Sequence, residues 1–188
     1  MAKNRKELKK KKTVICLYGG PGTGKSTTAA GLFFRLKKAG VNAELVREYV
    51  KDWVWEDRKI KETDQVYILA KQARKEQICF EGVDVIVTDS PIRLCAIYEK
   101  MITEPPYVTP LIIQKFEKEA QKQGVSYIHV FLNRKKKYNP KGRLQNLEEA
   151  KELDKKLKSY LISENVNFIE VDADEKAPKK IIKLLNLL

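Results

Sequence analysis

The sequence contains few of the residues that stabilise small extracellular proteins or bind structural metals. Its 188 residues include three cysteines and one histidine. Cys16, Cys79 and Cys95 fall inside apolar segments without CxxC or CxxH spacing, which excludes a disulfide framework and a common zinc motif. We expect these cysteines to be small buried side chains in a reducing compartment.

Long apolar runs are also missing. No segment approaches the roughly 18 apolar residues of a membrane span, and the first twelve residues are rich in lysine, unlike a secretory leader. Hydrophobic residues make up 43% and charged residues 34% of the chain, which excludes a disordered protein. The composition predicts a cytoplasmic domain with a substantial core and no membrane partner.

Acidic residues are too few to balance the basic ones, and the net charge is +13. Residues 1–12 contribute +6, residues 133–145 contribute another +6, and everything else contributes +1. This division predicts a basic flexible tail over 1–12, a folded domain over 13–188 and a basic lid at about 133–145. It excludes a uniformly basic coat protein and indicates contact with polyanions. The tail is also typical of a solubilising arm.

Short β-branched runs alternate with amphipathic stretches of helical length. Strands are predicted over 13–18, 43–46, 84–89, 127–132 and 167–171, and helices over 25–39, 64–80, 91–101, 110–123, 147–163 and from 178. Strands separated by helices favour an α/β fold with a five-stranded, mainly parallel sheet covered on both faces. Ligands of such sheets bind at the carboxyl ends of the strands.

Residues 19–26 read GGPGTGKS and fit the phosphate-loop pattern GxxxxGK[ST] between a strand and a helix. Backbone N–H groups of such a loop surround phosphate oxygens, while Lys25 reaches the β- and γ-phosphates and Ser26 binds Mg²⁺. The alternative is a glycine turn with an incidental Lys-Ser. The predicted nucleotide-binding residues are Gly19, Gly20, Pro21, Gly22, Thr23, Gly24, Lys25, Ser26 and Thr27.

Asp89 ends an apolar strand in the manner of a Walker B acid. It is predicted to bind the metal together with Ser26 or to accept a proton. The alternative is an acid that caps the following helix.

The exit of the second strand is unusually rich in acids and tryptophans. Glu48 and Asp52 are four residues apart, which would place both on one helix face beside the phosphate loop, where either could accept a proton. Trp53, Trp55 and Arg58 are predicted to contact the substrate, the tryptophans by stacking on a base. Tryptophans that fill the core, and acids that face water, are the alternatives.

The basic segment follows the fourth predicted strand and suits a lid that closes over a transferring phosphoryl group. Arg134 and Arg143 are predicted to stabilise the developing charge. Lys135, Lys136 and Lys137 indicate contact with something more anionic than one nucleotide. The alternative is a solvated loop.

Together these motifs resemble the P-loop nucleoside and nucleotide kinases, and more narrowly the nicotinamide riboside kinase branch. The likeness covers about residues 13–188. It rests on the phosphate loop, REY at 47–49, DQVYILAKQ at 64–72, TDSP at 88–91, and Pro140, Gly142 and Arg143 of the lid. The chain is also similar to small phage-encoded kinases of this group, among them the 5-hydroxymethyluridine DNA kinases.

The resemblance implies a P-loop NTPase three-layer sandwich with a basic lid, and the use of ATP and Mg²⁺. It also implies site residues: Glu48, Asp52 or Asp89 as catalytic base, Gln65 and Gln72 in the acceptor pocket, Arg134 and Arg143 in the lid, and the 172–176 loop beside adenine.

We therefore expect a kinase that phosphorylates a hydroxyl of a nucleic-acid unit, with 5-hydroxymethyluracil in DNA as the leading substrate. Such a protein would act on DNA in the host cytoplasm if it is phage-encoded. A kinase of a free nucleoside or nucleoside monophosphate is the first alternative. A non-catalytic nucleotide-dependent switch is the second.

Overall fold

A five-stranded, fully parallel sheet in the order β2-β3-β1-β4-β5 organises the protein. The computed structural model describes residues 12–61, 63–135, 138–139 and 146–188. The strands are β1 (Lys12–Tyr18), β2 (Ala43–Val46), β3 (Val85–Thr88), β4 (Val125–Asn133) and β5 (Phe168–Asp172). The helices are α1 (Lys25–Lys38), α2 (Lys51–Trp55), α3 (Asp64–Gln77), α4 (Arg93–Ile102), α5 (Thr109–Lys122), α6 (Leu147–Ser163) and α7 (Ala177–Leu184).

Helices cover both faces of the sheet, so the predicted α/β three-layer architecture is confirmed. Val14 and Cys16 of β1 point to one core, which contains side chains of α3, α4, α5 and α6. Ile15 and Leu17 point to the other core, between the sheet and helices α1 and α7. A strand buried on both faces needs a continuous apolar run, which is why β1 does not alternate with polar residues.

Most element boundaries agree with the sequence prediction to within three residues, and β2 and α6 agree fully. Asn146 caps α6 in a capping box with Glu149, a pattern that marks a helix start. Helix α2 was not predicted, since its five residues are too few to show a helical period. Lys12, which the prediction placed in the tail, begins β1, and its ammonium donates a hydrogen bond to the Phe80 carbonyl oxygen.

The expectation that the cysteines are buried is confirmed for two of the three. Cys16 and Cys95 are buried and Cys79 is partly buried, and all three are free thiols. His129 Nδ1 lies 2.9 Å from the Tyr18 hydroxyl oxygen, and burial lowers the pKa of His129 to about 4. Within the described ranges, no helix is both long and apolar enough to cross a membrane.

Glu76 is an acid in the core of the domain. It is 1% exposed on α3, and its carboxyl oxygens make no well-formed hydrogen bond with a described residue, although the nearby Tyr127 hydroxyl partly offsets the rise in its pKa. Burial, and secondarily the charge of Glu117, raises the pKa of Glu76 from 4.5 to about 8. The folded protein therefore holds Glu76 mostly as a neutral acid at pH 7, whereas the unfolded chain ionises it.

We expect Glu76→Gln to flatten the pH dependence of stability between about pH 5 and 8. In this window the unfolded wild-type chain loses the Glu76 proton and the folded chain keeps it, so stability falls by roughly 1 kcal/mol per pH unit. Urea unfolding at several pH values measures the effect. Glu119→Gln, at an exposed position of α5, is the control. A Glu76→Gln curve parallel to that of the wild type would contradict this interpretation.

Candidate nucleotide and acceptor site

The predicted phosphate loop connects β1 to α1, at the carboxyl edge of the sheet. Gly19, Gly22 and Gly24 have φ angles of 139°, 74° and 109°, in the region that favours glycine. A Cβ on Gly20 would lie 2.7 Å from the Ala150 carbonyl oxygen, so helix α6 leaves no room for a side chain there. The glycines of the motif are therefore required by backbone conformation and by close packing.

Lys25 begins α1, and its ammonium bends back over the loop. Nζ donates to the carbonyl oxygens of Gly19 at 2.6 Å and Gly20 at 3.2 Å. Burial lowers the pKa of Lys25, while the charges of Glu48 and Asp89 raise it. Lys25 is partly buried, lines the cavity described below and makes no ion pair with a described residue, so it suits an anionic ligand.

Arg134 is held against the phosphate loop by α6. Its Nε donates to Asp154 Oδ2 at 2.8 Å, and its Nη2 lies 3.4 Å from Thr23 Oγ1. The other carboxylate oxygen of Asp154 accepts the Gly20 N–H at 2.5 Å. Asp154 thus joins the loop to the predicted lid arginine. The sequence does not single out this acid, because α6 is rich in charged residues throughout.

Glu48 and Asp89 meet at the carboxyl ends of the neighbouring strands β2 and β3. The Glu48 N–H donates to Asp89 Oδ1 at 3.1 Å. Burial raises the pKa of Glu48, the charge of Lys25 lowers it and the charge of Asp89 raises it. A carboxyl group with a raised pKa beside a phosphate loop suits proton transfer near neutral pH.

Ser26 and Asp89, the two residues predicted to bind the metal, line the same cavity. Hydroxyl and carboxylate oxygens suit Mg²⁺, which keeps several of its water ligands and uses few protein groups. In the described ranges, no cluster of three or more His, Cys, Asp or Glu residues is placed to hold a metal. The pair fits Mg²⁺ bound jointly with phosphate oxygens.

A cavity of about 370 Å³ lies between the phosphate loop and helices α2, α3 and α4. Outside the loop, the lining includes the apolar side chains of Val50, Val54, Ile60, Ile68 and Leu94 among polar and charged ones. Gln65 is 4% exposed and lines the cavity without a hydrogen bond to any described residue. The cavity therefore combines apolar side chains with an amide that is available to a ligand.

Four residues of the predicted substrate stretch do not line the cavity. Asp52 is exposed, and Trp55 is 70% exposed. Trp53 is 5% exposed and packs in the core, where Tyr67 stacks with it at a centroid distance of 6.0 Å and Arg58 lies 3.5 Å from its ring centroid. Both partners occupy the ring surface that a base would need. Trp53 is therefore a core residue, and the prediction that it stacks on a base is wrong.

The remaining predicted residues are distributed around the site. Gln72 is buried outside the cavity, and its Oε1 accepts the Tyr49 N–H at 2.9 Å, so it holds the backbone next to Glu48. Lys135 Nζ lies 3.6 Å from Asp172 Oδ2 at the end of β5. Lys136, Lys137 and Arg143 fall outside the described residues, together with most of the predicted lid.

Sequence reasoning missed several cavity residues. Arg47, Lys51, Ser90, Cys95 and Tyr98 line it as well. Cys95 and Tyr98 lie one helical turn apart on α4, so their spacing could have predicted that both side chains lie on the same face of this helix. Burial raises the pKa of Tyr98 far above its usual value, which keeps the hydroxyl neutral.

Sheet order, phosphate loop and the acid after β3 define a P-loop nucleotide-binding domain. The chain belongs to the AAA domain family (AAA_28), whose model matches residues 14–177. Among curated proteins, none matches.

Three solved structures, two of them described as kinases, share this fold. APS kinase CysC of Mycobacterium tuberculosis (12% identity, TM-score 0.50) aligns over 94% of this chain and 96% of its own. Deoxyadenosine kinase of M. mycoides, with products dCMP and a flexible dCDP bound, is 18% identical with a TM-score of 0.60. It aligns over 93% of this chain and 100% of its own. NadR protein in complex with NR is 16% identical with a TM-score of 0.65. It aligns over 92% of this chain but only 51% of its own, so this chain spans about half the length of that protein.

We expect Lys25→Ala to weaken binding of a nucleoside triphosphate by roughly 10- to 150-fold, the range for a lost hydrogen bond to a charged group. Fluorescence titration with a labelled ATP analogue measures it. Lys38→Ala, at the opposite end of α1, is the matched control and should bind like the wild type. Unchanged affinity in Lys25→Ala would contradict the assignment of the phosphate loop.

Proposed function

We propose that the protein is an ATP- and Mg²⁺-dependent kinase that phosphorylates a hydroxyl of a nucleic-acid unit, with 5-hydroxymethyluracil in DNA as the leading substrate. The observation that carries the proposal is the meeting of Lys25, Glu48 and Asp89 in one cavity beside the phosphate loop. A cation for the phosphates and a base for the acceptor are what phosphoryl transfer requires.

The chain's own residues divide the reaction between them. Lys25 and Arg134 hold the triphosphate, and Glu48 takes the proton of the acceptor hydroxyl as the new O–P bond forms and the bond from the γ-phosphorus to the bridging oxygen breaks. Ser26 and Asp89 would hold Mg²⁺, which would neutralise charge on the phosphate oxygens. Arg134 is pre-oriented by Asp154, so it needs little reorganisation.

A nucleoside-like acceptor is supported by the cavity opposite the phosphate loop. Its apolar side chains suit the faces of a heterocyclic ring, and the Gln65 amide suits the polar edge of such a ring. Two structural neighbours are described with nucleoside-type compounds, dCMP in one case and NR in the other. This likeness supports the first alternative, a kinase of a free nucleoside or monophosphate, as much as it supports a polymer substrate.

The preference for a nucleic-acid polymer comes from charge. Arg47 and Lys51 stand at the cavity wall, and residues 133–145 carry six basic and no acidic side chains. One acceptor phosphate does not require that many cations. The second alternative, a nucleotide-dependent switch, requires no acceptor cavity.

Incubation with γ-labelled ATP and a panel of acceptors tests the proposal. The panel contains free nucleosides, mononucleotides, and DNAs with ordinary or 5-hydroxymethyl pyrimidines. Label is expected on the hydroxymethylated DNA. Label only on nucleosides or mononucleotides would refute the polymer substrate and establish the first alternative. ATP binding without any labelled acceptor would favour the switch.

We expect Glu48→Gln to lower kcat by about 10²- to 10⁴-fold with little change in KM for ATP, the range for loss of a general base. Because the pKa of Glu48 is raised, the wild-type rate should increase with pH through a range above that of an ordinary glutamate, as the base ionises. Glu44→Gln, at an exposed position of β2, is the control. A Glu48→Gln enzyme that keeps the wild-type pH profile would show that another group is the base.

A further inference from the structure

The outer face of α3 carries an unbalanced positive charge. Lys71 and Arg74 are exposed and Lys75 is partly exposed, and none of the three makes an ion pair with a described residue. The two acids of this helix do not compensate, since Asp64 pairs with Arg58 at 3.6 Å and Glu76 is buried. On α5 and α6, Lys122, Lys151 and Lys155 each pair with an acid three residues earlier, whereas Lys115 and Lys118 of α5, like the α3 cations, make no ion pair with a described residue.

Aromatic rings lie among these cations. Tyr67 is 45% exposed, and its hydroxyl accepts from the Tyr49 hydroxyl at 3.1 Å. Lys71 Nζ lies 5.3 Å from the Tyr67 ring centroid, and Lys75 Nζ lies 5.4 Å from that of Tyr49. One face of the Tyr67 ring stacks on Trp53, so the part of the ring that remains exposed can meet a base beside the surrounding cations, a combination that binds single-stranded nucleic acids.

This surface continues to the mouth of the acceptor cavity. Lys75 Nζ donates to the Arg47 carbonyl at 3.4 Å, and Arg47 is exposed, unpaired among the described residues, and part of the cavity wall. An extended strand can therefore follow α3 while one of its units occupies the cavity. Side chains three and four residues apart on α3 are about 5–6 Å apart, which suits contacts to successive phosphates.

From these observations we infer that the α3 surface, defined by Tyr67, Lys71, Arg74 and Lys75, binds the backbone of a single-stranded nucleic acid that presents its acceptor unit to the cavity. The inference rests on the proposed function and deepens it. An acidic polypeptide matches the charge but not the exposed ring, which favours a stacking partner. Backbone contacts position the strand, and the cavity selects the unit that reacts.

Fluorescence anisotropy of the full chain with fluorescein-labelled dT20, over a series of salt concentrations, tests the charge contribution. The triple variant Lys71→Gln, Arg74→Gln, Lys75→Gln should lower the slope of log affinity against log salt by about 2, at roughly 0.7 per lost contact. The control is Lys115→Gln, Lys118→Gln, Lys122→Gln on α5, which removes the same charge and should change the slope much less. Equal losses in the two variants would overturn the inference.

The ring contribution has its own test. Tyr67→Leu should weaken dT20 binding roughly tenfold, as expected for one stacked base. Strands containing 5-bromodeoxyuridine should photocrosslink to the peptide that carries Tyr67. Crosslinks found only within residues 1–11 or 136–145, or polyglutamate competing as well as dT20, would overturn the inference.

These measurements do not depend on turnover, so they separate the two proposals. If dT20 binds through the α3 surface but label appears only on free nucleosides, the docking surface stands and the polymer substrate fails. If hydroxymethylated DNA is labelled with the same KM in the triple α3 variant and the wild type, the kinase stands and the docking surface fails. The triple variant should phosphorylate a free nucleoside, where one is accepted, at the wild-type rate, because none of its positions lines the cavity.

Discussion

A partly buried ammonium is the constraint on which the rest of the site depends. Lys25 lies between the phosphate loop and the cavity, burial lowers its pKa, and its two hydrogen-bond acceptors are neutral carbonyls. An isolated buried charge is costly, so a fold that retains one must compensate for it. Glu48 and Asp89 do so across the cavity, and their charges favour the charged lysine. A phosphate would provide the compensation that these carbonyls lack.

The sheet topology brings these groups together. Parallel strands place their carboxyl ends on one edge, and the order β2-β3-β1 makes the exits of three strands adjacent. Glu48 follows β2, Asp89 follows β3 and Lys25 follows β1 after the glycine loop. The three groups are far apart along the chain, yet the Glu48 N–H reaches the Asp89 carboxylate directly. Helix α6 also holds the site together, because Asp154 accepts hydrogen bonds from both the phosphate loop and Arg134.

The distribution of charge along the sequence differs from its distribution on the folded surface. The net charge of +13 is concentrated, along the chain, in residues 1–12 and 133–145. In the folded protein a third positive surface forms on α3, although the chain around it is nearly balanced in composition. It arises because one acid of α3 is buried and the other is paired, whereas the cations face outward. Counting charges in windows of sequence does not detect a surface of this kind.

The candidate site was predictable where chemistry depends on local pattern. The phosphate loop needs glycines, a lysine and a hydroxyl at fixed spacing, and the acid after β3 needs only an apolar strand before it, so both were found. Trp53 and Asp52 were misjudged because helix α2 turns the first into the core and the second toward solvent, and a five-residue helix leaves no period to read. For a related reason the role of Asp154 was not predicted, and Gln72 was assigned to the acceptor pocket. Each side chain accepts a hydrogen bond from a backbone N–H that is distant in the sequence.

The sequence by itself therefore determined the layers of the fold and the position of the phosphate loop between β1 and α1. Only the tertiary structure decided which carboxyl group faces Lys25, which side chains line the acceptor cavity and which cations remain unpaired. The physical reason is that burial and electrostatic pairing depend on distances between residues far apart in the chain, whereas backbone turns and strand burial are encoded within a few neighbouring residues.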